Sequence, residues 1–158
     1  MTHSMLSHYS YPTPTGPITI CTSGRGVRAV AFGEVQLAGT RCPTELSNRC
    51  ATELLEYFAG KRTAFDVPLD PRDRVPESVW EALSRVPFAT SVTSGDIARD
   101  LGKPKSYRAV GAAVRENPLA VIIPDHRVVR ANGRPIAADA RGRIREGLLH
   151  MERERAGA

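Results

Sequence analysis

The stretch Thr93-Ser94-Gly95-Asp96-Ile97-Ala98-Arg99-Asp100-Leu101-Gly102-Lys103-Pro104-Lys105-Ser106-Tyr107-Arg108-Ala109-Val110-Gly111-Ala112-Ala113-Val114-Arg115 carries two short helical patterns separated by a Gly/Pro turn. Thr93 or Ser94 can cap the first pattern, because a hydroxyl there accepts a backbone N–H that the helix leaves unbonded. Asp96 adds negative charge at the positive end of the helix dipole. Ile97 to Leu101 forms the body and Gly102 stops it. Lys103-Pro104-Lys105 turns the chain, since proline fixes φ and has no N–H to donate. The second helix is expected from about Ser106 to Arg115. Two short helices joined in this way read as a helix-turn-helix, whose second helix is the one usually laid into a DNA groove.

Upstream, Glu77 to Val86 reads as a helix with Val79, Trp80, Leu83 and Val86 facing inward, ended by Pro87. The Pro-rich, charged run Val67 to Asp73 marks a boundary, which divides the chain at 1–70 and 71–158. Ahead of that boundary, Ile18-Thr19-Ile20 and Val27 to Phe32 flank a Gly24-Arg25-Gly26 turn and predict a β-hairpin. Residues 34–48 show no clear period. A helix is expected from about Asn48 to Gly60, with Leu54, Leu55 and Phe58 as its apolar stripe. The architecture expected is an α/β N-terminal subdomain followed by a mainly helical C-terminal one.

With 158 residues the chain can form one ordinary domain or two small ones. Hydrophobic residues at 41% and charged residues at 25% are ordinary for a soluble globular protein. No apolar run has the length of a membrane span and the first ten residues are polar, which makes the cytoplasm the expected compartment. A net charge of +5 fits a polyanionic partner, of which nucleic acid is the commonest. Cys21, Cys42 and Cys50 match no zinc-binding spacing and read as free thiols.

Two segments are more specific: Arg108-Ala109-Val110-Gly111, continuing to Asn117-Pro118, and Val121-Ile122-Ile123-Pro124-Asp125-His126-Arg127-Val128-Val129. Together with Glu56 to Lys61, Phe65 to Asp70, Ser78 to Leu83 and Gly95 to Gly102, they resemble the O6-alkylguanine-DNA alkyltransferase family in order and spacing, from about Tyr9 to Glu152. The resemblance implies a ribonuclease H-like N-terminal subdomain and a winged-helix-like C-terminal subdomain. It implies a protein that flips a damaged guanine out of duplex DNA, since a stacked base cannot be reached. In the family a cysteine thiolate then takes the alkyl group. By resemblance His126 fills the position of the base that acts through water, Glu152 that of the residue orienting it, Asn117 the hinge, and Arg108 the arginine finger. Duplex DNA contacts are expected from Arg108, Lys103, Lys105, Ser94 and Arg115. No cofactor or metal is implied, and the partners expected are duplex DNA and other repair proteins, with the chain itself a monomer.

The departures from the pattern matter as much. Asp125 stands where the family has its acceptor cysteine, and a carboxylate is a far weaker nucleophile toward an alkyl carbon. Ser94 stands where the family has a tyrosine. Ala137-Ala138-Asp139-Ala140-Arg141-Gly142 replaces the family's Gly-Tyr-Ala/Ser-Gly-Gly-Leu loop. These changes predict an alkyltransferase-like DNA-binding protein inactive in methyl transfer. Two other readings remain open at this point. Asp125, Asp139, Glu152 and His126 could form an acidic enzyme site, through a divalent cation or an ester on Asp125. Alternatively, the helix-turn-helix could serve a regulator or a protein-binding scaffold. Burial of Asp125 beside Glu152 would set two carboxylates against each other.

Overall fold

A computed structural model describes residues 5–71, 75–136 and 140–157. The chain divides into two compact units, residues 1–72 and 73–158.

In the first unit a four-stranded sheet has the order β3-β2-β1-β4. The expected hairpin is there: β2 (Ile18–Thr22) pairs antiparallel with β3 (Val27–Phe32), Ile20 opposite Val30. β2 lies inside the sheet and is buried along its whole length. Its neighbour β1 (Ser7–Tyr11) arises from a polar stretch that showed no strand pattern. Only His8 of β1 is buried. Backbone bonds to β2 on one side and to the two-residue β4 (Thr40–Arg41) on the other therefore secure it, rather than side-chain alternation.

The following helix α1 (Glu45–Phe58) starts earlier than expected, because Thr44 and Ser47 form a reciprocal capping box. Ser47 N–H donates to Thr44 Oγ1 at 3.0 Å and Thr44 N–H to Ser47 Oγ at 2.9 Å. Its buried face is Cys50, Ala51, Leu54 and Tyr57, whereas Leu55 is exposed and Phe58 only half-buried.

The second unit opens with α2 (Glu77–Ser84), which ends two residues before the expected Val86. The helix-turn-helix follows as α3 (Ser94–Asp100), a 3-10 turn over Pro104–Ser106 and α4 (Tyr107–Arg115). Thr93 is the cap of α3, with Asp96 returning the bond to the Thr93 N–H at 2.8 Å. The buried faces are Ile97 and Ala98 on α3 and Val110, Gly111, Ala113 and Val114 on α4. The two helices touch at Gly111, where a methyl group would sit 3.4 Å from Ser94 Oγ. Thr93→Ala removes one side of the box and should cost about 1 kcal/mol, read as a lower denaturant midpoint at unchanged slope. An unchanged midpoint would mean that packing, not capping, sets where α3 begins.

The apolar run 121–129 is not a regular strand. It is a turn around Val121, with φ at +73°, followed by a 3-10 turn over Asp125–Arg127. Its only strand-like bonds among the described residues are single bridges, Val92 to Val128 and Val129 to Pro135. The chain then forms α5 (Ala140–Gly157), which buries Arg145, Leu148, Leu149 and Glu152. Among the described residues no helix is long and apolar enough to cross a membrane.

Candidate functional site

The site is built on the turn between α4 and α5. Asn117 organises it. Its carbonyl oxygen accepts from Leu119 N–H at 3.0 Å, while its amide nitrogen donates to Ile123 O at 3.0 Å and to Asp125 Oδ2 at 3.1 Å. One buried side chain thus bridges both ends of a turn in which Val121 holds a left-handed conformation unfavourable for a β-branched residue. The same oxygen of Asp125 accepts from Arg145 of α5 at 3.2 Å, forming an ion pair buried on both sides. Arg145 also donates to Val114 O at the end of α4, at 3.3 Å.

His126 and Glu152 lie beside this pair. Glu152 is fully buried, and its carboxylate accepts from His126 Nε2 at 2.6 Å, from Arg127 Nε at 2.9 Å and from Arg127 Nη2 at 3.0 Å. It also accepts from Ala89 N–H at 3.0 Å, where Ala89 has φ of +66°. A carboxylate can only accept, so His126 donates from Nε2; a ring carrying one proton then has its lone pair on Nδ1. That Nδ1 is buried with no hydrogen-bond partner among the described residues. It is a ready acceptor for a small polar group or a water.

Asp125, His126, Asn117 and Glu152 are thus brought together as expected, but the charges are arranged differently. Each carboxylate has its own cation: Arg145 pairs with Asp125 and Arg127 with Glu152. The pairing also weakens the cation-site reading: among the described residues no three His, Cys, Asp or Glu side chains converge as metal ligands. Asp139, the fourth member of that expectation, lies outside the described residues, as do Ala137 and Ala138. The cysteines lie in the first unit. Burial pushes the Cys50 thiol up to about 12 and also raises Cys21.

The residues expected to meet DNA are on the helix-turn-helix. Lys103, Lys105, Arg108 and Arg115 are exposed, and Ser94 is half-buried against Gly111. Exposed Ala109 and Ala112 complete a small-residue face on α4. Tyr107 was not singled out in the sequence, yet it is exposed at the first position of α4 with the Arg108 guanidinium over its ring, 5.8 Å from the centroid. An exposed aromatic next to an arginine was the signal available for it. Arg145 stands where the resemblance implies a lysine, and Arg127 belongs to the motif 121–129. Both prove to be the cations on which the buried carboxylates depend. A pocket of about 710 Å³ opens beside the site, lined in part by His126, Arg134, Arg143, Arg145 and Arg153.

The 6-O-methylguanine DNA methyltransferase family matches this chain in both units, its ribonuclease-like domain over residues 6–71 and its DNA binding domain over residues 74–154. Methylated-DNA--protein-cysteine methyltransferase of Methanosarcina mazei is 43% identical over 153 residues, covering 93% of this chain and 97% of the relative. The protein of the same name from Methanosarcina acetivorans is 37% identical over 148 residues, covering 90% and 95%. Among solved structures, the O6-methylguanine methyltransferase of Mycobacterium tuberculosis superposes with a TM-score of 0.84 at 31% identity, covering 96% of this chain and 94% of that one. The same bacterium's protein in complex with DNA gives 0.81 at 30% identity, covering 94% of each. The chain therefore belongs to the 6-O-methylguanine DNA methyltransferase family, a family of DNA-binding DNA-repair alkyltransferases.

Proposed function

We propose that this chain is an alkyltransferase-like protein that binds duplex DNA, admits an extruded base at the Asp125 site and does not transfer methyl groups to itself. The observation that carries the reading is the Asp125 carboxylate, fixed by Arg145 and Asn117 in the segment Pro124-Asp125-His126-Arg127. In-line attack on a methyl carbon needs a free, polarizable nucleophile. A carboxylate whose oxygen already accepts two bonds, one charge-assisted, is a poor one. The retained helix-turn-helix and its exposed cations favour DNA binding, and the DNA complex of a relative supports the same reading. The partners on this reading are duplex DNA and other repair proteins that act on the marked site, with the chain acting as a monomer in the cytoplasm.

Phosphate contacts dominate such binding and make it salt-dependent. Arg108→Ala and Lys105→Ala should each weaken duplex binding and lower the slope of log affinity against log salt by about one. The test is binding of plain duplex by the wild type and both variants at two salt concentrations, with a single-turnover methyl-transfer assay on the wild type. Unchanged affinity in both variants would remove α4 as the interface. Methyl transfer by the wild type would remove the claim of inactivity.

A further inference from the structure

Asp125 makes unequal use of its two oxygens. Oδ2 accepts from both Arg145 and Asn117, at 3.2 and 3.1 Å. Oδ1 accepts no hydrogen bond from any described residue, although the side chain is nearly all buried. Oδ1 is also absent from the fully enclosed, unpartnered atoms, which among the described residues are Arg28 Nε and His126 Nδ1. The small accessible part of Asp125 therefore includes this oxygen. A polar atom that is almost enclosed, oriented by two neighbours and left without a donor has the character of a ligand contact, because leaving it unmade is costly.

The residue beside it has the same character. His126 donates from Nε2 to Glu152 and leaves Nδ1 buried and unpartnered. Asp125 thus offers a carboxylate oxygen as acceptor, and beside it a His126 ring carrying one proton offers the Nδ1 lone pair. An O6-alkylguanine presents acceptors at the matching edge. Its O6 is alkylated and its N1 carries a lone pair in place of a hydrogen. Acceptor against acceptor is repulsive, and each buried group stays unsatisfied.

We infer that Asp125 reverses the hydrogen-bond polarity of the site, so that it takes extruded bases that present N–H donors, such as an N1–H or exocyclic amino edge, in preference to O6-alkylated guanine. This inference rests on the proposed binding of an extruded base and concerns only which base is taken. Carboxylates commonly read amino edges in nucleic acids, and a well-placed contact of that kind discriminates by about 1–3 kcal/mol. That corresponds to about five- to 150-fold in affinity.

The test uses the full chain and duplexes in which the probed base faces an abasic site, so that no pairing has to be broken. Two pairs of bases are compared: guanine with O6-methylguanine, and N6-methyladenine with N6,N6-dimethyladenine. In each pair the first has an N–H that the second lacks. The wild type is expected to bind the first member at least fivefold more tightly in both pairs. Asp125→Asn, which can turn an amide donor toward the base, should abolish or invert the preference. Equal affinity within both pairs, or preference for O6-methylguanine, would overturn the inference while leaving DNA binding intact. Loss of binding to every duplex would instead remove the proposed function beneath it. The wild-type comparison decides the matter even if Asp125→Asn does not fold.

Discussion

Glu152→Ala is expected to be the most destabilising single substitution in the second unit. The carboxylate is fully buried and accepts from His126, from two nitrogens of Arg127 and from the Ala89 backbone. Its removal leaves the buried Arg127 guanidinium with Val86 O, at 2.8 Å, as its one remaining acceptor among the described residues. Breaking one side of a buried ion pair typically costs about 3–5 kcal/mol, because the remaining charge is neither solvated nor paired. In a unit of this size that corresponds to a fall in Tm of at least about 12 °C. Thermal and urea unfolding of Glu152→Ala measure it directly. The double variant Arg127→Met/Glu152→Leu separates charge from shape. It should recover part of the loss, since an apolar pair of similar volume is often as stable as a buried ion pair. Full recovery is not expected, because the Ala89 N–H and His126 Nε2 would still lack an acceptor. A fall below about 1 kcal/mol for Glu152→Ala would show that water reaches Arg127 and that the network is not sealed.

The second large effect concerns chemistry. Asp125→Cys places a thiol next to Arg145 and His126, with the His126–Glu152 contact untouched. A guanidinium freed of its carboxylate favours the thiolate form, so the nucleophile itself should be well provided for. Methyl transfer from O6-methylguanine DNA is nevertheless expected at least about 100-fold below that of an intact family member, because a misplacement of the reacting carbon by about an ångström costs that much. The reason lies in what holds the base. Ser94 offers no aromatic ring and sits against Gly111. The segment Ala137 to Gly142 has neither the tyrosine nor the paired glycines that the resemblance implies there. A single-turnover assay with labelled DNA tests this. Transfer near the rate of an intact relative would show that Asp125 was the only defect.

The two predictions probe different properties. Glu152 and Arg127 hold the turn that carries the site, whereas on the proposed reading Asp125, held by Arg145, determines what the site can accept. A variant of the first pair should fail in stability before it fails in binding. A variant at Asp125 should change selectivity in a protein that still folds.

What the amino-acid sequence determined by itself is the local grammar. The helix-turn-helix was legible because its signals are short-range: Thr93 and Asp96 close a cap, Gly102 stops a helix and Pro104 turns the chain. The β2–β3 hairpin was legible for the same reason, with alternating apolar residues on either side of a glycine turn. Family membership was legible because many motifs keep their order along nearly the whole chain. Tertiary structure alone decided the rest. β1 has no apolar pattern, and its place between β2 and β4 depends on backbone partners distant in sequence. Glu152 sits in a run of charged residues that reads as a solvated tail, yet it is fully buried because Arg127 and His126, 25 and 26 residues away, neutralise and bond it. Asp125 likewise meets Arg145 across 20 residues. Burial of a charge depends on which opposite charge the fold brings to it, and no short-range pattern records that.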